Sequence, residues 1–387
     1  MSTVPLALYA HFPWCARKCP YCDFNSHVRD GALPEAAYVD ALLRDLDAEC
    51  ATLASPRPLV SLFLGGGTPS LFSPSAIARL LAGIRARLAF TDDVEITLEA
   101  NPGTVDERHF AGYRDAGVNR LSIGVQSFDD GMLQALGRIH DGARASLAIG
   151  NAQRAGFTRI NVDLMHGLPG QDDDAAVADL QRALDAGVEH ISWYQLTIEP
   201  NTVFHRRPPV LPDDDALGSI EDAGFAVLEA AGFSRYEVSA WSRPGCASRH
   251  NLNYWRFGDY LAIGAGAHGK VSTRDHDSTL HIERYQKSRT PDDYLADQAR
   301  RQPRALSADD RVLEFMLNAL RLRDGVPAQA FVDHTGLGLE SVTPTLAALR
   351  ARGLLREDRI GTTDLGYRHL DSVVAEFLPD EEVGEAG

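Results

Sequence analysis

One phrase recurs three times in this chain and limits what it can fold into. Residues 115–124 read DAGVNRLSIG, residues 154–163 read RAGFTRINVD, and residues 185–194 read DAGVEHISWY. In each, a helical run ends at a Gly in the C′ position, two or three residues follow, and a β-type run begins. Helix-to-strand repetition of this kind means βα units, and right-handed crossovers then build a parallel sheet or barrel clad in helices. Strand candidates lie at 6–12, 59–64, 94–100, 120–125, 159–165 and 190–196, mostly continuous apolar or β-branched runs suited to strands covered on both faces. Amphipathic stretches at 35–54, 74–89, 106–116, 143–155 and 175–186 alternate with them. The six strands predict an α/β fold that stops short of the eight of a closed barrel.

The rhythm occupies residues 1–235. Extended or Gly-rich segments near 234–242 and 260–271 fall outside it, and a charged, proline-containing stretch at 288–304 reads as a linker, so 236–304 forms an extension and connection. From 305 to 378 the pattern becomes helical. Ser307 is the N-cap of a first helix with acidic residues in its first turn, further helices are expected at 327–335 and 339–352, and a small hairpin from 354 onward. This is a winged-helix-like helical domain. Its third helix, LESVTPTLAALRARG, is positive only at its end, so a packing role is favoured over nucleic-acid reading. Residues 379–387 read as a frayed acidic tail.

Charge and cysteine usage narrow the function. Lys and Arg number 38 against 54 Asp and Glu, a net charge of −16, which argues against a general nucleic-acid binder. The N-terminus lacks a basic n-region, and no run approaches the ~20 apolar residues of a membrane span. A cytoplasmic protein with reduced thiols is expected. Five cysteines are too few, and odd in number, for a disulfide-stapled secreted scaffold.

Three of those cysteines form Cys15-x3-Cys19-x2-Cys22, just after the first strand. Three thiolates on one loop can hold three irons of a cubane iron–sulfur cluster and leave a fourth iron open. A structural zinc is the rival; it needs a fourth ligand from His11, Asp23 or His27 and lacks the usual paired spacing. Three ordinary buried thiols are the third reading. Gly65-Gly66-Gly67-Thr68-Pro69 follows the second strand, where glycines expose backbone N–H groups and allow a ligand close approach. Glu99, Gln126 and Asp163 lie at or near C-terminal strand ends, the mouth of a barrel, although each alone could be a capping or core residue. Residues 249–255, RHNLNYW, hold His250 and the aromatics Tyr254 and Trp255; chemistry alone favours a loop histidine with two core aromatics. Cys50 reads as structural and Cys246 as incidental, with a thiolate near haem as its alternative.

The C-x3-C-x2-C signature after a first strand resembles that of radical S-adenosylmethionine (SAM) enzymes. The resemblance implies a [4Fe–4S] cluster on Cys15, Cys19 and Cys22, SAM on the fourth iron, and a partial (β/α)6 barrel. The phrases YAHFPWCARKCPYCDFNSH, FLGGGTPS, LEANP, RLSIGVQSFDDGMLQALGRIH, NVDLMHGLPGQ and WYQLTIEPNT resemble the coproporphyrinogen dehydrogenase-like branch over nearly the whole chain. By motif, Tyr9, Gly66, Glu99 and His268 would contact SAM on the cluster. A second SAM-type site would involve Tyr21, Gly67, Thr68, Gln126, Arg138, Asp163 and Thr197. No catalytic side chain is assigned.

One departure separates two functions. The dehydrogenases of that branch carry a further cysteine two positions after the third, where this chain has Phe24. CPYCDFNSH and H-N-x-x-Y-W are similar instead to the HemW-type haem chaperones. That similarity implies haem iron on His250, a porphyrin against Tyr254 and Trp255, and haem delivery to acceptor proteins such as respiratory proteins at the membrane. No C-x-x-C-H haem-attachment motif occurs. The alternatives are an oxygen-independent coproporphyrinogen III dehydrogenase and a zinc protein without a redox role.

Overall fold

The computed structural model describes residues 4–28, 31–102, 109–296 and 301–379. Its strands in chain order are β1 (Leu6–Phe12), β2 (Trp14–Cys15), β3 (His27–Val28), β4 (Leu59–Gly66), β5 (Phe90–Ala100), β6 (Arg120–Gln126), β7 (Arg159–His166), β8 (His190–Gln195), β9 (Ser234–Glu237), β10 (Ala240–Ser242), β11 (Asp259–Ile263), β12 (His268–Arg274), β13 (Leu280–Gln286) and β14 (Gln302–Ala305). The six expected strands are β1 and β4 to β8, paired side by side and all parallel. Helices Glu35–Cys50, Pro74–Arg85, Phe110–Ala116, Gly142–Arg154 and Asp173–Asp185 cross between them. The expected helix at 106–116 lies partly outside the described residues, as does most of the acidic tail at 379–387.

The recurring phrase does what its chemistry requires. Gly117, Gly156 and Gly187 each end a helix with a positive φ (110°, 88° and 72°), which turns the chain directly into β6, β7 and β8. The strands they feed are buried almost throughout, and their Ile123, Val162 and Ile191 share one continuous core with Leu62 and Leu64 of β4 and Leu98 of β5.

The sheet is larger than the sequence rhythm indicates. Among the described residues twelve strands join it, in the order β14-β13-β12-β11-β1-β4-β5-β6-β7-β8-β10-β9. The segments expected to stand outside the rhythm therefore extend the sheet at both edges. β11 pairs parallel with β1, whereas β12, β13 and β14 continue antiparallel. Part of the expected linker, 288–304, is correspondingly structured, as a short helix Pro291–Leu295 and edge strand β14. The extension is tied to the barrel by Lys287, buried between Asp45 and Glu49 of the first helix.

The C-terminal helices Ala308–Ala319, Ala328–Thr335 and Thr343–Ala351 surround a second core of Phe315, Phe331, Leu346 and Leu349. Phe257, Leu280 and Ile282, from the sheet extension, belong to the same core, so this domain packs directly on the sheet edge. The expected hairpin reduces to antiparallel bridges, Leu355 with Thr362 and Val326 with Ile360, and the residues after it are helical (Asp364–Arg368 and Leu370–Ala375). No helix among the described residues is long and apolar enough to cross a membrane.

Candidate functional site

The three cysteines sit where β1 leaves the sheet. Cys15 ends β2, which pairs with β3 to close the loop on itself, and the Cys22 amide donates to the Cys19 carbonyl at 3.1 Å. All three are half-buried. Burial pushes the Cys15 and Cys22 thiols above their ordinary range; the Thr68 hydroxyl beside Cys15 and the Phe24 backbone with the Ser26 hydroxyl beside Cys22 act against it.

Two glycines of the triplet are required by packing. A Cβ on Gly67 would stand 2.6 Å from the Trp14 carbonyl oxygen and 2.8 Å from that of Phe12. Gly66 has φ 112°, and a Cβ there would meet the His11 ring at 2.4 Å. The expectation that the loop exposes its amides is corrected. Gly66 N–H donates to Glu99 Oε2 at 2.9 Å, Gly67 N–H to the Phe12 carbonyl at 2.7 Å and Thr68 N–H to the Trp14 carbonyl at 2.8 Å. Those bonds fasten the turn to the cysteine loop.

From that turn a chain of hydrogen bonds joins two cysteines. The Thr68 hydroxyl donates to Cys15 Sγ (3.5 Å), and Asn101 Nδ2 donates to Thr68 Oγ1 (3.0 Å). Arg138 Nη2 donates to Asn101 Oδ1 (2.5 Å) and to the Gly124 carbonyl (2.7 Å), and Nη1 to Cys19 Sγ (3.5 Å). Burial alone would depress the Arg138 pKa, but Tyr21 and Cys19 beside it more than offset that. Its Nε is buried without a partner.

Below the cysteines the inner face of the strands is polar. Asp163 accepts from Ser122 Oγ (3.0 Å) and Asn161 Nδ2 (2.8 Å). Burial, with a further push from the nearby Asp163 and against the pull of the Gly66 amide, raises the Glu99 carboxyl to about 8. Asp163 is raised too, by burial. Two buried carboxyls coupled in this way fit a cationic ligand, such as the ammonium and sulfonium of SAM. Gln126, held at φ 71°, accepts from the Tyr194 hydroxyl at 2.7 Å. Tyr9 donates to His11 Nδ1 (2.9 Å), since His11 Nε2 must carry the proton to reach the Asn25 carbonyl (2.9 Å).

Several expectations change here. With both ring nitrogens engaged, by Tyr9 and by the Asn25 carbonyl, His11 has none to offer zinc. Among the described residues no three His, Cys, Asp or Glu side chains converge on one ion position. Thr197 is exposed at the rim, donating to Glu199, and His268 is exposed at the start of β12. Tyr21 is half-buried, its ring against Phe204 at 6.4 Å. His250, expected at haem iron, is only 4% exposed. Its ring stacks on Phe63 at 4.6 Å, and burial lowers its pKa to about 3. The helix carrying it, Arg249–Trp255, plugs the floor of the barrel; the His250 amide and the Ser248 hydroxyl both donate to the Glu95 carboxylate, and the Asn251 amide donates to Ser248 Oγ. Sequence reasoning missed Asn101 and Tyr194. Asn101 lies inside the LEANP phrase, beside Glu99, and that proximity was the available signal.

Comparison with known proteins agrees with this geometry. Residues 9–183 match the radical SAM superfamily and residues 306–368 the HemN C-terminal domain. Heme chaperone HemW of Escherichia coli is 48% identical over 97% of this chain and 99% of its own length. The chain belongs to the HemW family of the radical SAM superfamily. Heme chaperone HemW of Haemophilus influenzae is 47% identical, again over 97% of this chain and 99% of its own length. The fold of this HemW-family chain matches the solved coproporphyrinogen III oxidase HemN of Escherichia coli with a TM-score of 0.80, at 23% identity, over 97% of this chain and 90% of that one. Phe24 marks the difference from the cysteine expected of the dehydrogenases, and its side chain is 60% exposed on the cysteine loop.

Proposed function

We propose that this chain is a haem chaperone that holds a [4Fe–4S] cluster and SAM, binds haem, and passes it to acceptor proteins, working in the cytoplasm. The observation that carries the reading is full-length similarity, near half identity, to proteins named heme chaperone HemW. When bound, a cluster of this kind supplies single electrons and one iron open to a chelating ligand.

Cys15, Cys19 and Cys22 hold the cluster. Glu99 and Asp163 neutralise the cationic end of SAM, Tyr9 and Gly66 line its approach, and the buried donors of Arg138 face the second ligand position with Tyr21, Gly67, Thr68 and Gln126. His268 and Thr197 border the mouth. For haem, Tyr254 and Trp255 are the better-placed groups. They line a cleft of about 240 Å³ with Tyr260, Phe257 and Arg284, room for one edge of a porphyrin against flat rings, with the Arg284 guanidinium held at its wall by Glu314. His250 supports that cleft from behind, with its ring against Tyr254 at 4.6 Å.

The test is haem binding measured in parallel with coproporphyrinogen III turnover on cluster-reconstituted protein. Stable haem binding, transfer to an apo-acceptor and no decarboxylation are expected. Conversion to protoporphyrinogen at an enzyme's rate would overturn the proposal. Replacing Cys15, Cys19 and Cys22 by Ala should abolish iron and sulfide uptake.

A further inference from the structure

Asn101 follows directly on β5 and is the central link between Thr68 and Arg138. A guanidinium only donates, so the Asn101 oxygen must face Arg138 and the amide nitrogen must face Thr68. That orientation acts on each cysteine in turn. Thr68 Oγ1 already accepts a proton from Asn101, which directs its own hydroxyl proton to Cys15 Sγ. Arg138 Nη2 is clamped by Asn101 Oδ1 and the Gly124 carbonyl, which leaves Nη1 aimed at Cys19 Sγ. Gly124 keeps the space open, since a Cβ there would stand 3.0 Å from both Asn101 Oδ1 and Gln126 Nε2. One planar amide thus sets a neutral donor on one thiolate and a charged donor on another.

We infer that Asn101 is a positioning residue that aims Thr68 and Arg138 at the cluster thiolates of Cys15 and Cys19 and so raises the reduction potential of the cluster. The inference rests on the reading that these cysteines hold the cluster. Donors on ligand sulfur stabilise the reduced, more negative form and raise the potential. Asn is suited to the position because its amide donates on one side and accepts on the other. Ala does neither, and a carboxylate only accepts. In Asn101→Asp the Thr68 hydroxyl would turn its proton toward the introduced carboxylate and away from Cys15, while the Arg138 contact would survive as an ion pair.

The experiment is an EPR-monitored redox titration of reconstituted full-length protein, with iron and sulfide assayed first. The proteins are wild type, Asn101→Ala, Asn101→Asp, Thr68→Val and the double variant Asn101→Asp/Thr68→Val. The single variants should titrate at more negative potential than wild type with four irons retained, and Thr68→Val should add no further shift in the Asn101→Asp background. Should Asn101→Ala take up fewer irons, the Asn101→Asp pair decides. A wild-type potential in the Asn101 variants, or a Thr68→Val shift that persists in full beside Asn101→Asp, would overturn the inference. Failure of the cluster reading shows separately, as iron and sulfide retained when Cys15, Cys19 and Cys22 are replaced by Ala.

Discussion

Gly66 donates its amide proton to the Glu99 carboxyl across 2.9 Å, and the charge acting most strongly on Glu99 is that of Asp163. The bond connects the end of β4 to the end of β5 directly beneath the cysteine loop. One backbone donor does not offset the burial of Glu99, so its carboxyl holds a proton up to a pH of about 8.

This makes ligand binding proton-linked. The Glu99 pKa is raised from 4.5 unfolded to about 8 folded, so its contribution to stability is fully present below pH 4.5 and is lost as pH rises through about 8. The ligand-free protein should therefore lose up to roughly 5 kcal/mol across that window. Glu99→Gln should flatten the slope in denaturant melts taken at successive pH values. A cation beside Glu99 favours its ionised form, so SAM binding near pH 7 should release a proton. Calorimetry in buffers of different ionisation enthalpy would detect that release, and Glu99→Gln should remove it.

Gly67→Ala should uncouple the glycine turn from the cysteine loop. The atoms it would strike, the Trp14 and Phe12 carbonyl oxygens, are backbone and cannot swing aside. A cost of about 1–3 kcal/mol is expected, together with a lower iron content after reconstitution. A wild-type melting temperature and four irons per chain would contradict the packing account.

Phe24→Cys should not install a fourth ligand. The Phe24 side chain is 60% exposed and turned away from the barrel interior. The variant should bind the same iron and sulfide as wild type, carry one extra thiol reactive to alkylation, and gain no coproporphyrinogen III turnover.

His250→Ala should be a stability variant. The ring fills the barrel floor between Phe63 and Tyr254, and Ser61 lies 3.4 Å from its Nδ1. Loss of a buried ring of this size should cost about 2–4 kcal/mol. Haem stoichiometry of the folded fraction should stay at the wild-type value, read from the Soret band after titration. Tyr254→Ala with Trp255→Ala should weaken haem binding instead.

The sequence by itself determined the barrel and its cofactor. Three helix ends with Gly at C′ dictated parallel βα units, because αL backbone and a following β-branched run are local properties that neighbours do not override. Cysteine spacing pointed to the cluster in the same way, as Cys15, Cys19 and Cys22, its proposed ligands, lie on one loop. Tertiary structure decided what depends on contacts between distant segments. β11 joins β1 across some 250 residues of chain, so no local pattern could announce it. The exposed N–H groups expected of the glycine turn are occupied at Gly66 and Gly67, because Glu99 and the end of β1 lie beside them. His250 reads in sequence as a histidine between polar neighbours, and only the docking of its helix under Tyr9 and Phe63 makes it a core residue. Asn101 looks ordinary until folding brings Thr68 and Arg138 to its two sides, since a hydrogen bond's meaning lies in its partner and the partner is 33 or 37 residues away.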